Sequence, residues 1–436
     1  MGQYILSKFN HYYSHGDDVL IFNALVGKLA VVSKKTLDSV KQDDSIERLF
    51  KKDVWINNGF LIRAGTDENS YASYQFRQQL NPKGLNLTVM ASENCNFRCA
   101  YCFDEFQGKN ISEETIRNIV SFVQKNLNEY SYLYLNWFGG EPLLAKREIL
   151  SLSEQLKKIC QRSSRSYSAM ITTNGFLLDL ETFKSLLRNN VFTYIITIDG
   201  LARTHNQSRP LRNGQPSFDT IINNLRMIRD RFSAKRFNLQ IRTNVTSNML
   251  NDFPAYLDFI SKEFGENPNF SFMFSPVYDW GGERVKAVAS NLVDSLKEFY
   301  FILQSHPAHL SLKDIYRNLV DRVCVYACEG TFTIRPNGEL LLCPQLNQHP
   351  IGTLSSGKMV IDTYELAKWR SCTSSAQVCM SCSEYNLCEG RNCPARLMHA
   401  QKNAEEISCG REWSEVENVV QTLYITDRDL FVRLEE

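Results

Sequence analysis

This sequence predicts an α/β architecture: a partial (β/α)6 barrel with a small α+β domain before it and a cysteine-rich domain after it. Three observations carry that reading. Strand-like and helix-like patterns alternate six times in the middle of the chain. Residues 1–63 open with two apolar runs around a turn and continue as short helical patterns. Nine of the thirteen cysteines fall between Cys324 and Cys409, where periodicity fades. With 436 residues, 43% of them hydrophobic, the chain is long enough to bury a large core and to divide into domains.

In residues 1–63, "DVLIFNALVGKLAVVS" (Asp18–Ser33) reads as a hairpin turning near Gly27. "KTLDSVKQ" and "SIERLFKK" read as short helices, with Thr36 and Ser45 as candidate N-caps, and "GFLIRAG" as a returning strand. Residues 64–84 are polar and read as a linker. From 85 to 310 the strands are expected at Leu85–Met90, Tyr132–Phe138, Tyr167–Thr172, Thr193–Ile198, Leu239–Val245 and Phe270–Phe274. Helices are expected between them at Glu113–Asn126, Arg147–Cys160, Leu180–Arg188, Phe218–Asp230 and Pro254–Phe264. "SEETIRNIVSFVQKNL" carries a capping Ser112 ahead of apolar residues at helical spacing. Repeated strand–helix units imply a parallel sheet, whose chemistry sits at the C-terminal ends of its strands. Residues 311–436 form the third zone, closed by an amphipathic helix over Trp413–Leu434.

The net charge of +1 argues against nucleic-acid binding, and the basic run Arg229–Arg236 reads as the solvated end of a helix. No apolar run is long enough to cross a membrane, and "MGQYILSKFN" lacks a signal-peptide pattern, so a cytoplasmic protein is expected. In a reducing compartment, clustered cysteines read as metal, cluster or redox sites. "CNFRCAYC" puts Cys95, Cys99 and Cys102 in eight residues, too tight a loop for disulfides among them. Zinc and an iron–sulfur cluster both remain open on that spacing.

Cys95-x3-Cys99-x2-Cys102 after the first barrel strand, with Tyr101 before the last cysteine, resembles the radical S-adenosylmethionine (SAM) superfamily. The resemblance implies a partial TIM-like barrel. It also implies that the three thiolates hold three irons of a [4Fe–4S] cluster whose fourth iron takes SAM. Electron transfer then cleaves SAM to a 5′-deoxyadenosyl radical. "WFGGEP" resembles the family's glycine-rich motif, which implies that Gly139 and Gly140 approach the SAM amino group and that Glu141 accepts from it. "TTNG" and "TIDG" end the third and fourth strands, so Asn174 and Asp199 are candidate ribose or substrate contacts. Arg242 on the fifth strand is a candidate partner for the SAM carboxylate.

Cys328-x9-Gly338-x4-Cys343 and Cys379-x2-Cys382-x5-Cys388-x4-Cys393, followed by Cys409, resemble the SPASM extension with its two auxiliary [4Fe–4S] clusters. The last spacing is x4 where the family usually has x3. Carried over, the resemblance gives Cys324, Cys328, Cys343 and Cys393 to the first auxiliary cluster. Cys379, Cys382, Cys388 and Cys409 go to the second, for three clusters in all. Cys160 reads as a small core residue, and Cys372 has no assigned role. A zinc ribbon is the competing reading of this region.

Named families with this extension mostly modify peptides or proteins, so the resemblance implies a peptide or protein substrate and an electron donor such as flavodoxin or ferredoxin. Sulfatase-maturing relatives place a basic Asp after the cysteine of the Gly-x4-Cys motif, whereas here Pro344 follows Cys343. The reading that remains is a maturase that crosslinks a ribosomally made precursor peptide through a thioether or carbon–carbon bond. Residues 1–63 would then be a winged-helix-like recognition domain that adds a leader peptide to a strand edge. A formylglycine-forming maturase and a non-catalytic iron–sulfur or zinc scaffold are the alternatives.

Overall fold

The computed structural model describes residues 4–42, 46, 49–102, 104, 106, 108–232, 236–277, 292–306, 323–345, 350–371, 394 and 413–435. The chain opens with β1 (Tyr4–Leu6), β2 (Asn10–His15), β3 (Asp18–Asn23) and β4 (Lys28–Ser33). The predicted hairpin is β3–β4, and β2 extends it into an antiparallel meander. Helix α1 (Lys34–Lys41) is capped by Ser33, which accepts from Thr36 N, so Thr36 lies inside the first turn and is not the cap. Next come α2 (Lys52–Asn57) and β5 (Leu61–Arg63), which pairs with β1. The stretch expected as a linker holds α3 (Glu68–Gln79), because Asp67 caps it and Ala72 and Phe76 bury one stripe at i, i+4 spacing.

Strand alternation splits the meander between two cores. Leu20, Phe22, Leu29 and Val31 face the main core of the molecule. Val19, Ile21, Ala30 and Val32 face a second core with Leu37, Val40 and Trp55.

The central sheet comprises β6 (Leu85–Ser92), β7 (Tyr132–Gly139), β8 (Ser166–Thr173), β9 (Val191–Thr197), β10 (Asn238–Val245) and β11 (Phe270–Pro276). All six are parallel neighbours in chain order. The connecting helices are α4 (Glu113–Asn126), α5 (Lys146–Arg162), α6 (Leu180–Arg188), α7 (Ala202–Ser208), α8 (Phe218–Arg231) and α9 (Phe253–Ile260). Expected and observed strands agree to within two residues at each end. The basic end of α8 is tied down: Arg226 and Arg229 both bond Glu263.

The sheet does not stop at β6. Four strands of the cysteine-rich zone continue it: β12 (Thr331–Ile334), β13 (Glu339–Leu341), β14 (Gly352–Ser355) and β15 (Lys358–Ile361). β12 runs parallel to β6 and the others follow antiparallel, giving ten strands in one open sheet. Runs of three or four residues are too short to show alternation, so the sequence did not signal them. The C-terminal helix ends at Thr426, short of the expected Leu434. Asp427-Arg428-Asp429 interrupts its apolar stripe, and β16 (Phe431–Arg433) then joins the N-terminal meander in the order β16-β4-β3-β2. No helix among the described residues is long and apolar enough to cross a membrane.

Candidate active site

The loop after β6 carries Cys95, Cys99 and Cys102 to the C-terminal end of the sheet. It is held there by main-chain bonds to the end of α7 and the segment after it: Ala100 N to Ser208 O (2.9 Å), Arg98 N to Pro210 O (2.9 Å) and Arg212 N to Asn96 O (2.7 Å). On the other side it meets the loop after β7. Gly140 N donates to Ser92 O and Glu141 N to Asn94 O, each at 2.9 Å. The two glycines make this approach feasible. Gly139 sits at φ +129°, and a Cβ there would lie 2.2 Å from Ser92 O; at Gly140 it would lie 2.6 Å from Asn94 O. Their visible task is to seat the cysteine loop.

All three cysteines line one cavity of about 270 Å³, together with Tyr101, Gly139, Gly140, Asn174, Arg209, Arg242, Asn244 and Gln345. A larger hollow of about 630 Å³ lies beyond the Cys95 segment and shares only that cysteine with the first. The smaller cavity gathers the thiols and the two arginines, so the chemistry belongs there. Burial pushes the Cys95 and Cys102 thiols up to about 12. Iron binding at these positions therefore has to displace protons.

Glu141 and Asp199, expected to meet a ligand, both bond protein groups, and neither lines the cavity. The Glu141 carboxylate accepts from Leu143 N (2.9 Å), Thr173 Oγ1 (2.7 Å) and Asn174 N (2.8 Å), and so ties the β7 and β8 loops together. Asp199 accepts from Asn244 N (2.8 Å) and from the Tyr101 hydroxyl. Tyr101 accepts in turn from Arg209 Nη1 (2.6 Å) and Asn244 Nδ2 (2.8 Å). This knot bolts the cysteine loop to β9 and β10. Burial pushes the Asp199 carboxyl up, against the pull of Arg209. Burial also works against the Arg209 charge, but Cys99, Tyr101 and Asp199 outweigh it and the guanidinium stays above its ordinary value.

Asn174 reaches across to Asn96 (2.7 Å), and Arg242 donates to Asn244 Oδ1 (3.0 Å) while facing the cavity. Arg209, Asn244 and Asn96 were not among the residues expected from sequence. Asn244 had a signal, since it stands two residues from Arg242 on the same strand face. Arg209, in "SRP" after a short helix, had none.

Cys324 stands just before the 3-10 turn Val325–Ala327, its carbonyl accepting from Ala327 N (2.8 Å). Cys328 is buried, its thiol donating to Gln79 O (3.4 Å), and Cys343 is buried just past β13. None of the seven described cysteines forms a disulfide. Cys160 is fully buried near the end of α5, as expected of a small core residue. Cys372, Cys379, Cys382, Cys388, Cys393 and Cys409 lie outside the described residues. Among the described residues, no group of three or more His, Cys, Asp or Glu side chains is arranged to hold a single metal ion. Three thiols spread around one cavity do fit a cluster, in which each thiolate binds a different iron.

Residues 89–250 match the radical SAM superfamily. A serine-type anaerobic sulfatase-maturating enzyme of Bacteroides thetaiotaomicron is 27% identical over 31% of this chain and 34% of its own length. The radical SAM cyclopropyl synthase TigE of Paramaledivibacter caminithermalis is 24% identical over 54% of this chain and 50% of its own length. The chain thus spans half or less of the length of these two relatives. The solved structure of native anSMEcpe with bound AdoMet and Cp18Cys peptide shares the fold. Its TM-score is 0.54 at 19% identity, covering 80% of this chain and 98% of that one.

Proposed function

We propose that this chain, a radical SAM enzyme related to protein- and peptide-modifying maturases, crosslinks a precursor peptide through a thioether or carbon–carbon bond. One observation carries the reading: Cys95, Cys99 and Cys102 line a single cavity with Tyr101, Arg242 and Asn244 at the C-terminal end of a parallel sheet. When bound, a [4Fe–4S] cluster and SAM supply a 5′-deoxyadenosyl radical that takes a hydrogen atom from the substrate. The chain's own residues do the rest. Cys95, Cys99 and Cys102 would hold the cluster. Arg242 would receive the SAM carboxylate, and Gly139–Gly140 keeps the cysteine loop against the sheet. Asn174 remains a candidate polar contact, and Gln345 brings an amide from the auxiliary zone into the same cavity. Glu141 and Asp199 act through the loops they fasten.

Forming a crosslink removes two hydrogens in all: one as an atom to 5′-deoxyadenosine, one as a proton with an electron left over. The auxiliary clusters, with Cys324, Cys328, Cys343 and Cys393 on one and Cys379, Cys382, Cys388 and Cys409 on the other, would take that electron. A donor such as flavodoxin or ferredoxin would supply the priming one. The sulfatase-maturating relatives favour a second reading, oxidation of a Cys or Ser to formylglycine. Pro344, which cannot take a proton, stands against it.

Anaerobic assay with dithionite and SAM tests the first step. The intact chain should release 5′-deoxyadenosine. Changing Cys95, Cys99 and Cys102 together to Ala should abolish release and remove about four of about twelve irons. Cleavage that survives the triple change rules the assignment out.

A further inference from the structure

Two opposite charges reach the cysteine triplet from within its own cavity. Arg209 is buried, and its guanidinium is fixed by three neighbours. Its Nη1 donates to the Tyr101 hydroxyl (2.6 Å), its Cζ lies 5.7 Å from the centre of the Phe97 ring, and the Asp199 carboxylate stands 4.0 Å away. The main chain brings it there, since Ala100 N bonds Ser208 O and so draws Cys99 and Tyr101 alongside Arg209. Against the cost of burial, Cys99 holds the Arg209 charge more strongly than Asp199 does. Arg209 Nε is buried with no hydrogen-bond partner among the described residues. Asp104 is the opposing charge. It is half-buried, it lines the same cavity, and its main-chain N–H bonds the Cys102 sulfur. Cys102 registers both: burial pushes its thiol up, Asp104 adds to the push, and Arg209 pulls it back.

We infer that Arg209 and Asp104 set the reduction potential of the cluster proposed at Cys95, Cys99 and Cys102, Arg209 raising it and Asp104 lowering it. The inference rests on that proposed cluster and assigns a task to two residues the binding of iron does not use. Reduction adds one electron, and the extra negative charge is spread over irons and sulfurs. A fixed positive charge beside the thiolates stabilises the reduced form, and a fixed negative charge destabilises it. A buried, low-dielectric wall keeps both effects large. The unpartnered Arg209 Nε–H adds a donor for which a bound cluster would bring sulfur acceptors into the cavity; hydrogen bonds to the sulfurs act in the same direction as the charge. Arg242, the other guanidinium in the cavity, is not equivalent. It bonds Asn244 Oδ1 (3.0 Å) and Ser275 Oγ (3.4 Å), and no described cysteine is among the groups that act on its charge. The two opposed charges balance two demands: a higher potential eases loading from the electron donor, and a lower one strengthens the push of the electron onto SAM.

The test is a redox titration of the anaerobically reconstituted full chain at pH 8, with dithionite as reductant and the EPR signal of the reduced cluster as readout. Adding SAM identifies the signal, because the cluster that takes SAM is the one whose spectrum changes. Arg209→Met should lower its midpoint by about 59 mV or more, a tenfold change in the one-electron equilibrium. Asp104→Asn should raise the midpoint. Arg209→Lys, which keeps the charge, should recover at least half of the Arg209→Met shift. Iron analysis and thermal unfolding establish that each variant is folded and loaded. If Arg209→Met does not hold iron, Arg209→Gln, whose amide can still donate to Tyr101, takes its place; Asp104→Asn leaves the Tyr101 knot untouched in either case. Opposite shifts in the two charge-removing variants support the inference, because loosened packing would not change sign with the charge removed. A midpoint unmoved in either loaded variant, or moved the same way in both, overturns it. The unaltered chain reports on the proposed function separately. Absence there of both a SAM-sensitive signal and 5′-deoxyadenosine release fails the cluster reading itself, whereas release with unmoved midpoints in the variants fails this inference alone.

Discussion

His205 shows how much one buried side chain can set. It is fully buried, and its Nδ1 accepts from Asp199 N at 3.2 Å, so that nitrogen carries no proton in the fold. Burial, reinforced by Arg209, holds the imidazole well below 6.5. In the unfolded chain it titrates near its ordinary value. The folded pKa is depressed, so the contribution is intact above about 6.5 and is lost as pH falls, at about 1.4 kcal/mol per unit. Urea titrations between pH 7.5 and 5.5 should show that loss. His205→Gln, whose amide oxygen can still accept from Asp199 N, should flatten the slope by about one proton. An unchanged slope would mean that His205 is protonated in the fold.

At the scale of elements, the meeting of two loops decides whether the site exists. Gly139→Ala would drive a Cβ to 2.2 Å from Ser92 O in a backbone region that L residues avoid. Something must move, and the cysteine loop is the neighbour. The expected result is a loss of about 3 kcal/mol or more in stability, together with the iron that Cys95, Cys99 and Cys102 are proposed to hold; metal analysis beside thermal unfolding reads both. These loops also mark the limit of what the sequence made legible. The six strands were readable because apolar residues recurring over seven or eight positions, several of them in alternation, leave a strong signal. The cysteine loop was readable because its spacing is chemistry. Glu141 was expected to face a ligand but faces Leu143 N, Thr173 and Asn174, because a motif names a residue without giving its rotamer. The Arg209–Tyr101–Asp199 knot joins residues about a hundred positions apart, and no local pattern reports such a meeting. The same holds for β16, whose partner strand lies some four hundred residues upstream.

Over the whole molecule, the question is whether the two cysteine-bearing zones answer to each other. They share a sheet, since β12 pairs along β6 from Asn86 to Val89, and β6 runs straight into the cysteine loop. Tyr326 reinforces the seam: its hydroxyl contacts Thr88 at 3.3 Å, and its carbonyl accepts from Trp369 Nε1 at 2.8 Å. The strongest tie is ionic. Arg335, just past β12, bonds Glu93, two residues before Cys95, at 2.7 Å through Nε and 2.6 Å through Nη2, and both side chains are nearly buried, at 12% and 11% exposed. Removing one partner of such a pair leaves a charge stranded in low dielectric, whereas removing both does not, because the second acid on Arg335, Glu339 at 3.0 Å, is one-third exposed and can turn to water. Arg335→Met alone should therefore cost about 2–4 kcal/mol and loosen the Cys95 loop, while Arg335→Met with Glu93→Gln should recover much of that loss. If the seam transmits order between the zones, the single variant should also broaden the spectroscopic signature of the cluster proposed at Cys95, Cys99 and Cys102 although no cysteine has changed, and the double variant should sharpen it again. Additive losses in the double variant would mean that the two residues do not act as a pair.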